Sequence, residues 1–90
     1  MEILFFYNNY SLESLRTKSI FSKAFEKKPE LKFRNIEVTR EPLVCKKYNV
    51  LGTPTTLVLK NKIPILKHLG QLDEKEIHLL INEINGNAQE

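Results

Sequence analysis

The chain has 90 residues, of which 41% are hydrophobic and 28% are charged, and its formal net charge is +3 at pH 7. A chain of this length builds one domain around a single modest core, and no apolar stretch reaches the roughly 18 residues that span a bilayer. Its lysines are spread over many segments, which is typical of a solvated surface and disfavours a nucleic-acid-binding or membrane-binding protein.

The cysteine and histidine content excludes several kinds of site. Cys45 is the only cysteine, so an internal disulfide and a thiolate metal cluster are both excluded. His68 and His78 have no neighbours at the spacing of metal ligands, and we predict neither a metal nor another cofactor. Glu2 stands where a signal peptide would be basic, which favours a cytoplasmic protein.

The first half of the chain predicts a strand, a helix and a second strand. The apolar run "EILFFY" at 2–7 is typical of a strand that is buried on both faces. A helix is predicted over 11–28, because its apolar positions recur on one face and Pro29 stops it. The segment "LKFRNIEV" at 31–38 is predicted to be the second strand.

The next part predicts a short helix and a hairpin. The helix is expected over 40–48, with a proline tolerated in its first turn. The apolar segments 55–60 and 63–69 are separated by the two residues 61–62, a spacing that predicts an antiparallel hairpin. Pro64 in the second of these strands indicates a strand at the edge of the sheet.

The last helix has the clearest boundary signals. Asp73 is the predicted N-cap, and Glu76 completes a capping box. Gly86 is the predicted terminator of this helix. We therefore expect one domain over 1–86 and a disordered tail over 87–90.

The predicted order of elements is β-α-β-α-β-β-α, which defines an α/β fold. Its first strand–helix–strand unit requires a right-handed crossover and a parallel pair of strands. The hairpin adds antiparallel strands, so we predict a four-stranded mixed sheet that is flanked by helices.

Two segments carry a family resemblance. In "FFYNNYSLES" the first helix begins at the carboxyl end of the first strand, and "KKYNVLGTPTTLVLKN" places Thr53 and Pro54 directly ahead of a strand. With Gly70 before the last helix, this combination resembles the thioredoxin superfamily, and in particular its short glutaredoxin-like members, over nearly the whole chain. The resemblance implies a thioredoxin-like fold in which a cis-proline, here Pro54, faces a Cys-x-x-Cys motif at the start of the first long helix.

The resemblance also assigns roles to individual residues. Ser11 and Ser14 fall on the positions of the two redox cysteines of the family. The positions that flank the motif or lie against a bound substrate are Tyr7, Tyr10, Thr53 and Pro54.

The chemistry of such a site depends on a thiolate, which the amino end of a helix stabilises. A serine hydroxyl ionises far too weakly for this step and cannot exchange electrons with a disulfide. Phe5 also departs from the family pattern, because typical thioredoxins carry a buried acid at this place. The resemblance therefore implies a protein of the thiol–disulfide oxidoreductase family that is redox-inactive as written. It would be an enzyme only if a parent chain carries cysteines at 11 and 14.

Several alternatives stay open at this point. The serines could be an engineered or a natural replacement, and the residues alone also allow Ser11 to be a plain N-cap, worth about 1 kcal/mol. The second function is a non-catalytic module that binds an extended peptide in the groove beside Pro54. The expected partner is accordingly a protein or small disulfide or thiol substrate, or an extended peptide, and the chain is expected to be a monomer.

Cys45 has two interpretations. Free cysteines are among the most buried residues, so it could simply fill part of the core. It could instead be a peripheral thiol whose pKa is lowered by Lys46 and Lys47, which would allow mixed disulfides outside the motif.

Overall fold

A computed structural model of the chain describes residues 1–89, without the side chains of residue 85 and of 87–89. The predicted order β-α-β-α-β-β-α is confirmed. The elements are β1 (Glu2–Tyr7), α1 (Leu12–Glu26), β2 (Lys32–Glu37), α2 (Pro42–Lys47), β3 (Thr55–Lys60), β4 (Ile63–Leu69) and α3 (Glu74–Gln89).

The four strands form one mixed sheet in the order β2-β1-β3-β4. β1 and β2 are parallel, as the crossover through α1 requires, whereas β3 is antiparallel to both of its neighbours, β1 and β4. In the β1–β3 register Phe6 lies opposite Thr55. The carboxyl end of β1 and the start of β3 therefore lie side by side at the same end of the sheet.

The sheet has a hydrophobic core on each face. Ile3 and Phe5 of β1 belong to the core that α1 and α3 cover, and Leu4 and Phe6 belong to the core on the α2 face. This alternation explains the uninterrupted apolar run of β1 and confirms that the strand is buried on both faces. Four aromatic rings pack together on the α1 face, and the centroids of the contacting pairs are 4.5–6.2 Å apart. The rings are those of Phe5, Phe21, Phe25 and Phe33. Full burial of such a ring contributes about 1.5–3 kcal/mol.

The start of α3 confirms the predicted capping box. The Glu76 N–H donates to Asp73 Oδ1 at 2.8 Å, and the Asp73 N–H donates to Glu76 Oε1 at 3.2 Å. These two bonds satisfy backbone donors that have no partner inside the helix.

The end of α3 differs from the prediction. The helix continues past Gly86 to Gln89, so the helix end predicted at Gly86 is wrong. A terminating glycine acts by adopting a positive φ, which this chain shows at Gly70 (119°) and does not show at Gly86. A helical glycine costs only about 1 kcal/mol relative to alanine, and no proline follows to stop the helix. The last residue of the disordered tail predicted over 87–90 lies outside the residues that the structure describes.

Among the residues that the structure describes, no helix combines the length and the apolar character needed to cross a bilayer.

Candidate functional site

The loop between β1 and α1 is shaped by Asn8. Its side-chain Oδ1 accepts the Tyr10 N–H at 2.8 Å, and its backbone carbonyl accepts the Ser11 N–H at 3.1 Å. Asparagine favours such turns because its short side chain can bond the backbone two residues on. The loop therefore delivers Ser11 to the start of α1 in an extended conformation, with φ −111° and ψ 119°.

Ser11 is the N-cap of α1, as expected from its position. Its Oγ accepts the Ser14 N–H at 3.2 Å, and its carbonyl accepts the Leu15 N–H at 3.0 Å. The side chain thus satisfies one of the orphan donors of the helix and is itself partly exposed. The backbone donors around Ser11 are those that would stabilise a negative charge at this position.

Ser14 lies one turn further along and behaves differently. Its side chain is fully buried, and its Oγ has no hydrogen-bond partner among the described residues. A buried hydroxyl without a partner costs about 1–3 kcal/mol. A thiol is a weak donor and acceptor and tolerates such a place far better. The two serines therefore differ sharply: the first has a polar role, and the second lies where a hydroxyl is a poor fit.

Pro54 lies at the same end of the sheet. It is buried, and the Thr53–Pro54 peptide bond is cis. The Pro54 carbonyl accepts the Gly70 N–H at 2.8 Å, which ties the start of β3 to the end of β4. Because Phe6 is opposite Thr55 in the sheet, Pro54 adjoins the carboxyl end of β1, from which the Ser11 loop departs.

A groove of about 540 Å³ runs beside this proline. Asn8 lies on one side of it, and the loop residues Leu51, Gly52 and Thr53 line it as well. Cys45 lies in the same groove. The structure thus brings Thr53 together with the loop that precedes Ser11, and it adds Asn8 and Cys45, which the sequence did not single out as site residues.

The two tyrosines have separate places. Tyr7 stacks on Phe5, with ring centroids 6.4 Å apart, and its hydroxyl accepts a hydrogen bond from Lys18 Nζ at 3.3 Å. Its side chain therefore belongs to the α1 side of the sheet and does not line the groove. Tyr10 is 89% exposed and projects from the loop just before Ser11.

Glu37, at the end of β2, is a positioning residue that sequence reasoning missed. Its side chain is buried, and its carboxylate accepts the Asn9 N–H at 3.1 Å and the Thr39 N–H and hydroxyl at 2.5 and 2.6 Å. The hydrogen bonds from Thr39 and Asn9 lower the pKa of Glu37 below its ordinary value, against the opposing effect of burial. The available signal was an acidic residue between two apolar ones, Ile36 and Val38, at the end of a predicted strand.

Cys45 is half-buried against the core of the α2 face. Burial raises the pKa of its thiol, and the nearby carboxylates of Glu41 and Glu37 raise it further. The hypothesis of a pKa lowered by the neighbouring lysines is therefore wrong. Lys46 and Lys47 follow Cys45 along the helix, but the causes that raise the pKa are burial and the carboxylates of Glu41 and Glu37.

The described residues hold no group of three or more histidine, cysteine, aspartate or glutamate side chains that could bind an ion.

Several solved structures of similar shape are thioredoxins. An oxidised thioredoxin from Plasmodium falciparum matches with a TM-score of 0.80 at 21% identity, over 91% of this chain and 78% of that chain. Thioredoxin from Fasciola hepatica matches with a TM-score of 0.80 at 17% identity, over 90% and 77% of the two chains. A mutant thioredoxin from Halobacterium salinarum matches with a TM-score of 0.79 at 17% identity, over 90% and 71%.

No protein-family model and no curated relative matches the chain. The chain has the thioredoxin fold, and the resemblance noted in the sequence is confirmed at the level of the fold. At these identities the likeness concerns architecture, so the chemistry is argued from the residues of the chain itself.

Proposed function

We propose that the chain is a thioredoxin-like protein of the thiol–disulfide oxidoreductase family whose redox step is disabled by Ser11 and Ser14. In this proposal the site still receives an extended polypeptide or a small disulfide beside Thr53 and Pro54. Ser11 occupies the place of the attacking thiol, and Ser14 occupies the place of the resolving thiol.

The observation that carries the proposal is the contrast between the two serines. Ser11 is an effective N-cap, so its presence alone needs no further explanation. Ser14 is fully buried with an unpartnered hydroxyl, which is an unfavourable choice for a residue with only a structural role. A thiol of nearly the same shape would fit this pocket without that cost.

The restored chemistry can be written in two steps. A thiolate at position 11 attacks one sulfur of the substrate disulfide, and the other substrate sulfur leaves as a thiolate. The thiol at position 14, once deprotonated, attacks the sulfur at position 11, which releases the second substrate thiol and leaves a disulfide in the protein. The substrate gains two electrons, and the protein loses two. With serines at both positions neither attack occurs, so the chain as written is redox-inactive.

The experiment restores both thiols, Ser11→Cys with Ser14→Cys, in a Cys45→Ser background that removes the remaining thiol. Side chains three residues apart on a helix are neighbours, with Cβ atoms about 5–6 Å apart, and can be joined after a small local adjustment. We expect this variant to form the internal disulfide and, with dithiothreitol as the external reductant, to accelerate reduction of a model protein disulfide.

Three controls make the result interpretable. The Cys45→Ser chain should reduce nothing beyond the dithiothreitol background. Ser11→Cys alone, in the same background, should stop at the mixed disulfide, and Ser14→Cys alone should react slowly because its thiol is buried. A restored protein that forms the disulfide yet accelerates nothing would refute a catalytic groove. A restored protein that cannot form the disulfide would show that the two positions are plain helix-start residues.

A second candidate function is a peptide-binding module without electron transfer. The observation in its favour is that Tyr10 and Leu51, in the loops before Ser11 and before Pro54, are each 89% exposed. Large apolar side chains held so far out of the protein are characteristic of contact surfaces. A carboxymethylated, permanently unfolded polypeptide is a suitable probe, because it offers extended segments and no disulfide.

For this module we expect Tyr10→Ala and Leu51→Ser each to weaken binding of the probe severalfold. The matched control is Leu43→Ser, which removes a side chain that is 79% exposed on α2, outside the groove. Equal binding by all three variants would exclude a docking role for these loops.

We further propose that the protein acts as a monomer in the cytoplasm. The support is that its only thiol is half-buried and free, as in proteins kept under reducing conditions. Sedimentation of the purified chain and microscopy of a tagged chain in its own cells test the two statements separately.

A further inference from the structure

The outer strand of the sheet, β4, exposes an unusual amount of apolar surface. The exposed fractions are 64% for Ile63, 52% for Ile65, 41% for Leu66 and 65% for Leu69. The strand order ends at β4, so within 1–89 its outer backbone edge pairs with no other strand. Such an edge is a template for a further strand.

The opposite edge of the same sheet shows how an edge is normally protected. β2 carries exposed charges at Lys32 and Arg34 and ends in two buried residues. In β4 the backbone protection is confined to the first part, where Pro64 lacks an N–H and a bulge at Ile65 lies opposite Val58 and Leu59, and Lys67 is the exposed lysine beyond it. The stretch 66–69 beyond the bulge has regular pairing with β3 on one side, and on the other side no strand within 1–89 pairs with it.

Charge identifies the kind of partner that fits this edge. The segment from Leu43 to Leu72 contains no aspartate or glutamate, and its basic residues are Lys46, Lys47, Lys60, Lys62, Lys67 and His68. Beside β4 a groove of about 390 Å³ is lined by apolar residues of the strand and by two lysines, Lys47 and Lys67. Lys67 Nζ donates to the carbonyls of Tyr48 and Asn49 at 2.8 and 2.9 Å, which holds the charge at the groove.

We propose that the outer edge of β4, over 66–69, binds an extended peptide that alternates acidic and apolar residues. The peptide adds a fifth strand to the sheet through main-chain hydrogen bonds. Its side chains alternate between the two faces of the sheet, so one face of the peptide covers apolar side chains of β4 while carboxylates reach the lysines.

A second copy of the chain is a poorer occupant of the same edge. Antiparallel pairing of two β4 strands over 66–69 would bring Lys67 of one protomer close to Lys67 of the other. Like charges across a pair of strands are destabilising, and acidic side chains remove this repulsion. The absence of aspartate and glutamate from Leu43 to Leu72 thus favours a different, acidic chain over self-association.

The test uses a fluorescein-labelled nine-residue peptide of alternating glutamate and valine, with the ¹⁵N-labelled protein at low ionic strength. We expect saturable binding by anisotropy, amide chemical-shift changes that centre on 66–69, and weaker binding as salt is added. A peptide with lysine in place of glutamate should bind at least about tenfold more weakly. Methylation of alternate backbone nitrogens in the glutamate peptide should also abolish binding if main-chain pairing is involved.

The variant that probes the charge is Lys60→Glu with Lys62→Glu, which reverses two exposed charges at the β3–β4 turn. It should weaken binding of the glutamate peptide about tenfold and improve binding of the lysine peptide. The matched control, Lys27→Glu with Lys32→Glu, makes the same change in net charge away from β4 and should leave both affinities within about twofold.

Four results would overturn the proposal. Both lysine-to-glutamate double variants could weaken binding of the glutamate peptide equally, which would indicate that the peptide responds only to the net charge of the protein. The shifts could centre on Asn8 and Thr53, which would place the peptide in the other groove. The chain could sediment as a dimer with β4 protected, making a second copy the occupant. A single-stranded oligonucleotide could bind the same amides more tightly than the peptide, making this edge a nucleic-acid surface.

Discussion

Replacing Ser14 by alanine should stabilise the protein, although the residue is completely buried in α1. Its hydroxyl has no hydrogen-bond partner in the described part of the chain, and removing an unpartnered buried hydroxyl recovers about 1–3 kcal/mol. Alanine is also a better helix former than serine by roughly 0.5 kcal/mol. The space left by one oxygen atom offsets only part of this gain. We expect a net increase of about 1–2 kcal/mol in the free energy of unfolding, by comparison of these contributions.

The neighbouring Ser11 provides the matched comparison, because the same substitution should have the opposite sign there. Ser11→Ala removes the acceptor of the Ser14 N–H at 3.2 Å and should destabilise the protein by about 1 kcal/mol. Urea unfolding at 25 °C measures both changes. With a slope near 1 kcal/mol per molar urea for a small protein, the midpoint should rise by roughly 1–2 M for Ser14→Ala and fall by about 1 M for Ser11→Ala.

This reasoning would be refuted if Ser14→Ala lowered the free energy of unfolding by about 1 kcal/mol or more, which is the contribution of a satisfied hydrogen bond, while the slope of the urea dependence stayed the same. Such a loss would mean that the Ser14 hydroxyl is satisfied, for example by a bound water. The structural argument for a thiol-shaped position would then fail with it. Ser14→Cys provides a further check, because the variant with a thiol at this site should have a free energy of unfolding at least as high as that of the chain with serine.

The remaining predictions concern ionisable groups. Hydrogen bonds lower the pKa of Glu37 in the folded chain below the ordinary value of 4.5. Just below pH 4.5 the unfolded chain therefore binds more protons than the folded chain. The contribution of Glu37 to stability should be present above pH 4.5 and should be lost as the pH falls through the folded pKa. The Glu37→Gln variant should be less stable at neutral pH, and its stability should fall less as the pH is lowered. Urea unfolding between pH 3 and 7 measures both effects. If the loss of stability at acid pH were unchanged in the variant, the role of Glu37 would be contradicted. Since burial raises the pKa of Cys45, alkylation by iodoacetamide at pH 7 should be much slower in the folded protein than in urea, and equal rates would contradict the burial of its thiol. In the chain with Ser11→Cys and Ser14→Cys, thiolate absorbance should place the pKa of the first thiol below about 8.5, because it alone faces the amino end of α1; a higher value would contradict the stabilisation by the helix.

The elements of this fold are largely local features of the sequence, which is why they could be predicted. The apolar run of β1 marks a strand covered on both faces, and Asp73 with Glu76 marks the start of α3 through contacts between residues three apart. The boundary at Gly86 was misplaced, because a glycine ends a helix only when its backbone adopts a positive φ. That choice depends on the surrounding chain and cannot be read from the residue type.

The site was predictable only in part, for a similar reason. The cap formed by Ser11 is a local interaction, and its position followed from the helix start. The contacts of Glu37 with Asn9 join residues 28 positions apart, so no local pattern could show that this carboxylate holds the loop before Ser11. The raised pKa of Cys45 likewise comes from burial, which exists only in the folded chain, and from the carboxylates of Glu41 and Glu37.

The sequence by itself determined the order of strands and helices and the capping residues Ser11, Asp73 and Glu76. These depend on periodicity, turn chemistry and residues close together in the chain. Only the tertiary structure decided that the Ser14 hydroxyl has no partner, and that β4 lies open at the edge of the sheet with its apolar side chains exposed. Burial and pairing are properties of distant segments meeting in space, and the same serine or strand would be ordinary if another segment covered it.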